Sequence, residues 1–180
     1  MKMRITQFFT LAAALIFFNF SASAQSSNDA ILSKVESPKK YTTFQLISMD
    51  KELSTFANLV ILSGLAQSMQ MTDGHTLFVP TNDAFNDMTI ERFTELTDPK
   101  NSTELVAFVK HHVMPTKQMM VAFDDGQVIT TPDENEIAVD QDSYDNVFIS
   151  GSKIIKSDIA ASNGVIHIVN GVIDPSSDIL

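Results

Sequence analysis

The side chains that could do chemistry in this chain are histidines, carboxylates and hydroxyls, since the sequence contains no Cys. Four His are present, and His111 and His112 stand side by side. In an extended segment adjacent side chains leave on opposite faces, so this pair cannot readily chelate one ion. No carboxylate motif accompanies them at a zinc-ligand spacing, and no metal is expected. His167 lies between Val165 and Val169 on one face of an apolar run, the setting of a hydrogen-bonded core residue rather than a ligand or base. The segment Asp140-Gln141-Asp142-Ser143-Tyr144-Asp145-Asn146 alternates acids as a calcium loop does. An EF-hand loop needs an oxygen donor where Tyr144 stands and Gly where Asp145 stands, so a solvated hairpin loop is expected instead. Asp124-Asp125 and Asp133-Glu134 read as surface turns. The sequence has no Gly-x-Ser-x-Gly elbow, and its serines fall in turns and caps. A pair of carboxylates for glycoside hydrolysis is defined by spatial separation and escapes a sequence test. With no cofactor loop or phosphate cradle, the reading is a non-catalytic protein without a cofactor.

The elements that would position these residues come after an export signal. Lys2 and Arg4 precede a stretch from Ile5 to Phe20 that is apolar apart from Thr6, Gln7, Thr10 and Asn19, and Ser21-Ala22-Ser23-Ala24 comes next. Basic, apolar, then small is the order of a cleavable signal peptide, with cleavage expected after Ala24. The apolar core is shorter than the ~20 residues of a spanning helix, so no membrane insertion is expected once it is removed. No Cys follows for lipid attachment. A secreted or periplasmic location is expected.

Loss of Lys2 and Arg4 leaves 10 basic against 22 acidic side chains, a net charge of -12 where the full chain has -10. Such a surface repels phosphate backbones and excludes nucleic acid as a partner. Without disulfides the fold must rely on its core, and about 155 residues suffice to bury ~70% of the unfolded surface. The expected organisation is a signal peptide over 1–24, a flexible leader over 25–40, one domain over 41–175 and a tail over 176–180. A monomer is expected.

Apolar residues recur at helical intervals from Thr43, through Phe44, Ile47, Leu53, Phe56, Leu59 and Val60, until Gly64. A short second run covers 65–69. Asp73-Gly74 marks a turn before the apolar strand Thr76-Leu77-Phe78-Val79, which Pro80 ends. Thr81 or Asn82 can cap a following helix whose first turn holds Asp83. Further helices are predicted around Ile90, Phe93 and Leu96, and from Ser102 through Leu105, Phe108 and Val109. After Asp124-Asp125-Gly126 the pattern changes to short strands. Two hairpins are predicted, one turning at Pro132-Asp133-Glu134-Asn135 and one at Ser150-Gly151-Ser152. Asn163-Gly164 and Asn170-Gly171 bracket a last strand, with Val165, His167 and Val169 on one face and Ile166 and Ile168 on the other. Helices first and strands later describe an α+β domain.

Two segments carry a resemblance: Thr76-Leu77-Phe78-Val79-Pro80-Thr81-Asn82-Asp83-Ala84-Phe85, and Ala161-Ser162-Asn163-Gly164-Val165-Ile166-His167-Ile168-Val169-Asn170-Gly171-Val172-Ile173-Asp174-Pro175. They resemble the two signature boxes of the fasciclin-like domain family. Between them, Phe108-Val109-Lys110-His111-His112-Val113-Met114-Pro115 resembles the family's Tyr-His segment, and Asp125-Gly126-Gln127-Val128 the turn after it. The resemblance spans 41–175. It implies N-terminal helices packed on a β-wedge of short, mostly antiparallel strands. Thr81, Asn82, Asp83, Phe85, Asn163, Gly164 and His167 are then structural signature residues. The family usually has Tyr where His111 stands, so His111 is a departure, with a buried role for His112. Asp158-Ile159 matches a position implicated in receptor binding in adhesive members. Beside this stands the plainer reading, in which Ile159 anchors the core and Asp158 tightens a turn.

The resemblance implies an exported binding domain that mediates cell adhesion or extracellular matrix contact through a protein or glycan partner, with Asp158, Ile159, His111 and His112 as candidate contacts. The alternative is a carrier or sensor of a small hydrophobic ligand, prompted by 9 Met and 13 Phe, of which 7 and 8 lie beyond the signal peptide.

Overall fold

The computed structural model describes Leu32 and residues 35–174. The expected signal peptide, much of the expected leader and the tail lie outside the described residues. Among the described residues five α-helices occupy the N-terminal part: α1 (Thr43–Met49), α2 (Ser54–Leu62), α3 (Ala66–Met71), α4 (Ile90–Thr97) and α5 (Ser102–His111). Local chemistry starts them. Thr42 caps α1 through the Gln45 amide while Gln45 reaches back to Thr42, a capping box. Thr89 caps α4 by accepting from the Arg92 amide at 3.1 Å. In α2 the spacing of Phe56, Leu59 and Val60 puts all three on one buried stripe, and Leu105, Phe108 and Val109 do the same in α5.

Seven strands among the described residues come after or between them: β1 (His75–Pro80), β2 (Val113–Met114), β3 (Val128–Thr130), β4 (Glu136–Gln141), β5 (Val147–Ile149), β6 (Ser152–Ala160) and β7 (Gly164–Val169). They form one sheet in the order β2-β1-β7-β6-β5-β4-β3. Among the described residues β1 and β7 pair in parallel and the other neighbours are antiparallel. Both expected hairpins are present, as β3-β4 and β5-β6.

The central strands β1 and β7 are buried on both faces, and their two-residue alternation splits the core. Leu77, Val79, Ile166 and Ile168 face the helices and join Leu46, Phe56 and Phe108. Phe78 and Val169 face the opposite way, into a second cluster with Phe123, Ile137, Val139 and Ile149 from the wedge of short strands. Leu32 is buried in the helical cluster and Val35 packs against it, so side chains from the segment read as a leader reach the core.

Four local expectations are corrected. Pro80 leads into a 3₁₀ turn, Asp83–Asp87, and not into an α-helix. Asp140 and Gln141 belong to β4, which shortens the acidic loop. Asp133 does lie in a turn, but its side chain points inward and is 8% exposed. His111 and His112 end α5 instead of lying on a strand, because the helical stripe through Leu105 and Phe108 carries on to the last turn.

Candidate functional site

Asp158 stands where β6 breaks register with β7, between Lys156 and Ile159. A bulge of this kind re-aims side chains, and here it turns Asp158 to the surface while Ile159 enters the helical core. The backbone at Asp158 is left-handed, with φ 61°, a conformation that Asp tolerates better than most residues. Its carboxylate Oδ1 accepts from the Met120 amide at 2.8 Å, and its own amide donates to His167 Nδ1 at 3.3 Å. Because Nδ1 accepts, the proton sits on Nε2, which donates to the Gln118 carbonyl at 3.0 Å. The neutral ring is packed between Phe78 and Phe123, at centroid distances of 5.9 and 5.5 Å. Burial lowers the His167 pKa against the pull of the Gln118 carbonyl and Asp158.

This network fastens the segment from Gln118 to the 3₁₀ turn Met120–Ala122 onto the end of the sheet. It leaves Val121 93% exposed, the most exposed large apolar side chain among the described residues, beside the partly exposed Met119. A core histidine therefore holds a surface turn in place. It presents an apolar tip next to an acidic bulge.

The signature residues tie distant segments together. Asn163 is 5% exposed. Its Oδ1 accepts from the Thr43 amide at 2.9 Å and its Nδ2 donates to the carbonyls of Met69 and Thr72, joining α1, α3 and the sheet. Gly164 lies against β1 so closely that a Cβ there would press deep into the His75 carbonyl oxygen. Thr81 caps the 3₁₀ turn through the Ala84 amide at 3.2 Å. Asn82 caps a helix other than its own: Oδ1 accepts from the Thr55 amide of α2 at 2.9 Å, and Nδ2 donates to the Lys51 carbonyl at 2.7 Å. Asp83 is exposed in the first turn, and Phe85 meets Phe93 of α4 edge on.

The fasciclin domain model matches residues 51–175. The chain belongs to the fasciclin domain family. Human periostin is 30% identical over 158 residues, which cover 86% of this chain and 18% of periostin. Protein sll1483 of Synechocystis is 28% identical over 146 residues, 81% of this chain and 80% of that protein. The solved FAS1 domain pair of the insect cell adhesion molecule fasciclin I shares the fold, with a TM-score of 0.57 at 15% identity, covering 78% of this chain and 53% of the pair.

Within this fasciclin domain, His111 and His112 are buried at 1% and 0% exposure and offer a partner no surface. His112 Nδ1 donates to the Phe108 carbonyl at 2.9 Å and Nε2 accepts from the Ile173 amide at 3.2 Å, which ties the end of α5 to the segment after β7. Desolvation pushes its pKa down to about 4. His111 Nδ1 lies 3.7 Å from Asp133 Oδ2. Burial pushes the Asp133 carboxyl up, but hydrogen bonds from Thr131 and Asn135 outweigh it and hold the group below the usual carboxylate range. Among the described residues no group of three or more His, Asp or Glu could hold a metal ion. Asp142 closes its own loop through the amides of Tyr144 and Asn146, both at 2.9 Å.

Three residues of this fasciclin domain escaped the sequence reading. His75, 2% exposed, donates from Nδ1 to the Thr72 carbonyl and accepts at Nε2 from the Thr43 hydroxyl. Its place at the head of an apolar strand was the available signal. Gln118 and Val121 carry no local signal, because their roles arise from contacts with β6 and β7 some 40 positions away.

Proposed function

We propose that this fasciclin domain is an exported, non-catalytic binding module that joins a cell surface or extracellular matrix to a protein or glycan partner through the corner formed by Asp158 and the turn carrying Val121. The carrying observation is the latch itself: a buried His167 and the Asp158 carboxylate, together with the bonds of Gln118 to Thr76 and Ala122, hold the turn so that Val121 projects almost completely into solvent. Exposing an apolar side chain on a fixed turn next to a carboxylate suits a contact that reads shape and charge together. The kinship with an insect cell adhesion molecule supports the same reading. Ile159 acts behind the contact, as the core anchor that sets the bulge, and the two buried histidines support the α5 end.

The test immobilises the purified protein and measures attachment of host cells or matrix polymer. Val121→Asp and Asp158→Ala are each expected to reduce attachment severalfold while circular dichroism stays unchanged. Losing the bond to the Met120 amide and placing Ala at a left-handed position should together cost Asp158→Ala about 2 kcal/mol of stability, too little to unfold a domain of ordinary stability. Attachment no greater than that of an unrelated acidic protein, or attachment unchanged in both variants, would refute the assignment.

A further inference from the structure

A second feature lies away from the Asp158 corner. Between α3, the start of β1, the end of α5 and the β3-β4 turn runs a cleft of about 290 Å³. Leu65, Met69, Val113 and Pro132 give it apolar walls. His75 contributes to the lining, yet both its ring nitrogens are already committed, to the Thr72 carbonyl and the Thr43 hydroxyl. The polar group left at the cleft with a full charge is the ammonium of Lys110, whose stem lines the wall from the last turn of α5. Among the described residues Lys110 makes no ion pair. That is unusual placement for a cation in a chain with 12 basic and 22 acidic side chains.

An apolar cleft with one uncommitted cation at its edge matches a ligand with an apolar body and one anionic head. The volume is at the small end for ligand pockets, roughly 300 Å³ and upward, which excludes a long or branched lipid. We propose that this cleft binds a free medium-chain carboxylate, its chain against Leu65, Met69 and Val113 and its carboxylate on Lys110. The site is separate from the adhesive corner and does not depend on it.

The experiment titrates the isotope-labelled full chain with decanoate, decanol and decyltrimethylammonium below their aggregation limits, following backbone amide shifts. The expected result is saturable binding of decanoate, with shifts centred on residues 65–72 and 110–115. Decanol should bind about tenfold more weakly, and the cation more weakly still, for the loss of one charge-assisted contact. Lys110→Gln, at a half-buried helix end, should bring decanoate down to the affinity of decanol without moving the thermal midpoint. Ser68→Phe, at the exposed rim, should abolish binding of all three. Equal affinity for the three head groups, shifts centred elsewhere, or decanoate binding that survives both variants would overturn the proposal. Binding to phosphatidylglycerol vesicles as tight as to free decanoate, and lost in Lys110→Gln, would make the occupant a membrane lipid and overturn the free acid. Attachment in the adhesion assay should be the same for Lys110→Gln as for the parent, so either reading can fail alone.

Discussion

His112 shows how much one buried side chain can dictate. Its folded pKa of about 4 lies below the ordinary value of 6.5, so between those limits the unfolded chain binds a proton that the folded chain does not. The stability it contributes is complete above about pH 6.5 and is lost as the pH falls toward 4, on the order of 3 kcal/mol over that window. His75 and His167 are shifted in the same direction by burial and act with it. Urea unfolding at pH 7 and at pH 4.5 should therefore give a clearly lower midpoint at the acid value; equal midpoints would contradict neutral burial. Gly164 makes a steric case of the same kind. Gly164→Ala drives a methyl into the His75 carbonyl across the parallel β1-β7 pair, and the expected cost is about 3 kcal/mol or more, read from the shift in thermal midpoint. Sequence order alone flagged Gly164 as a turn residue next to Asn163. Only the pairing of β7 with β1 shows that its missing Cβ is what lets the strands approach.

The elements depend on one another for their ends. Helix α2 begins with no side-chain cap of its own, and Asn82, from the segment after β1, takes the Thr55 amide instead. Asn82→Ala should cost about 1 kcal/mol and speed amide hydrogen exchange at residues 54–57 while leaving α5 protected. Uniform loss of protection across the domain would argue against so local a role. Arg92 of α4 grips Asp174, beyond β7, with two hydrogen bonds of 2.9 and 3.0 Å and also pairs with Glu104 of α5. The helices were legible from apolar spacing, because the period of 3.6 writes itself into any helix that buries one face. The 3₁₀ turn after Pro80 was not, because Asn82 is drawn away to α2 and leaves only Thr81 to cap the Asp83–Asp87 segment.

At the scale of the whole molecule, the proposal of export rests on the N-terminal segment and can be tested directly. If residues 1–24 are the export signal, the protein recovered from outside its host's cytoplasm should begin at Gln25, as read by N-terminal sequencing; a product that retains Met1 would refute export by this route. By itself the sequence determined the α+β class, the two signature boxes, both hairpins and the separation of Val165, His167 and Val169 from Ile166 and Ile168, since each rests on contacts within a few residues or on simple periodicity. The tertiary structure alone decided which strands are neighbours, that His111 is sealed inside beside His112, and that Lys110 lines an apolar cleft. It also decided that Asp158 serves the turn at Met120, 38 residues earlier in the chain. Contacts of that range are set by how the sheet closes on the helices, and no local pattern of residues encodes them.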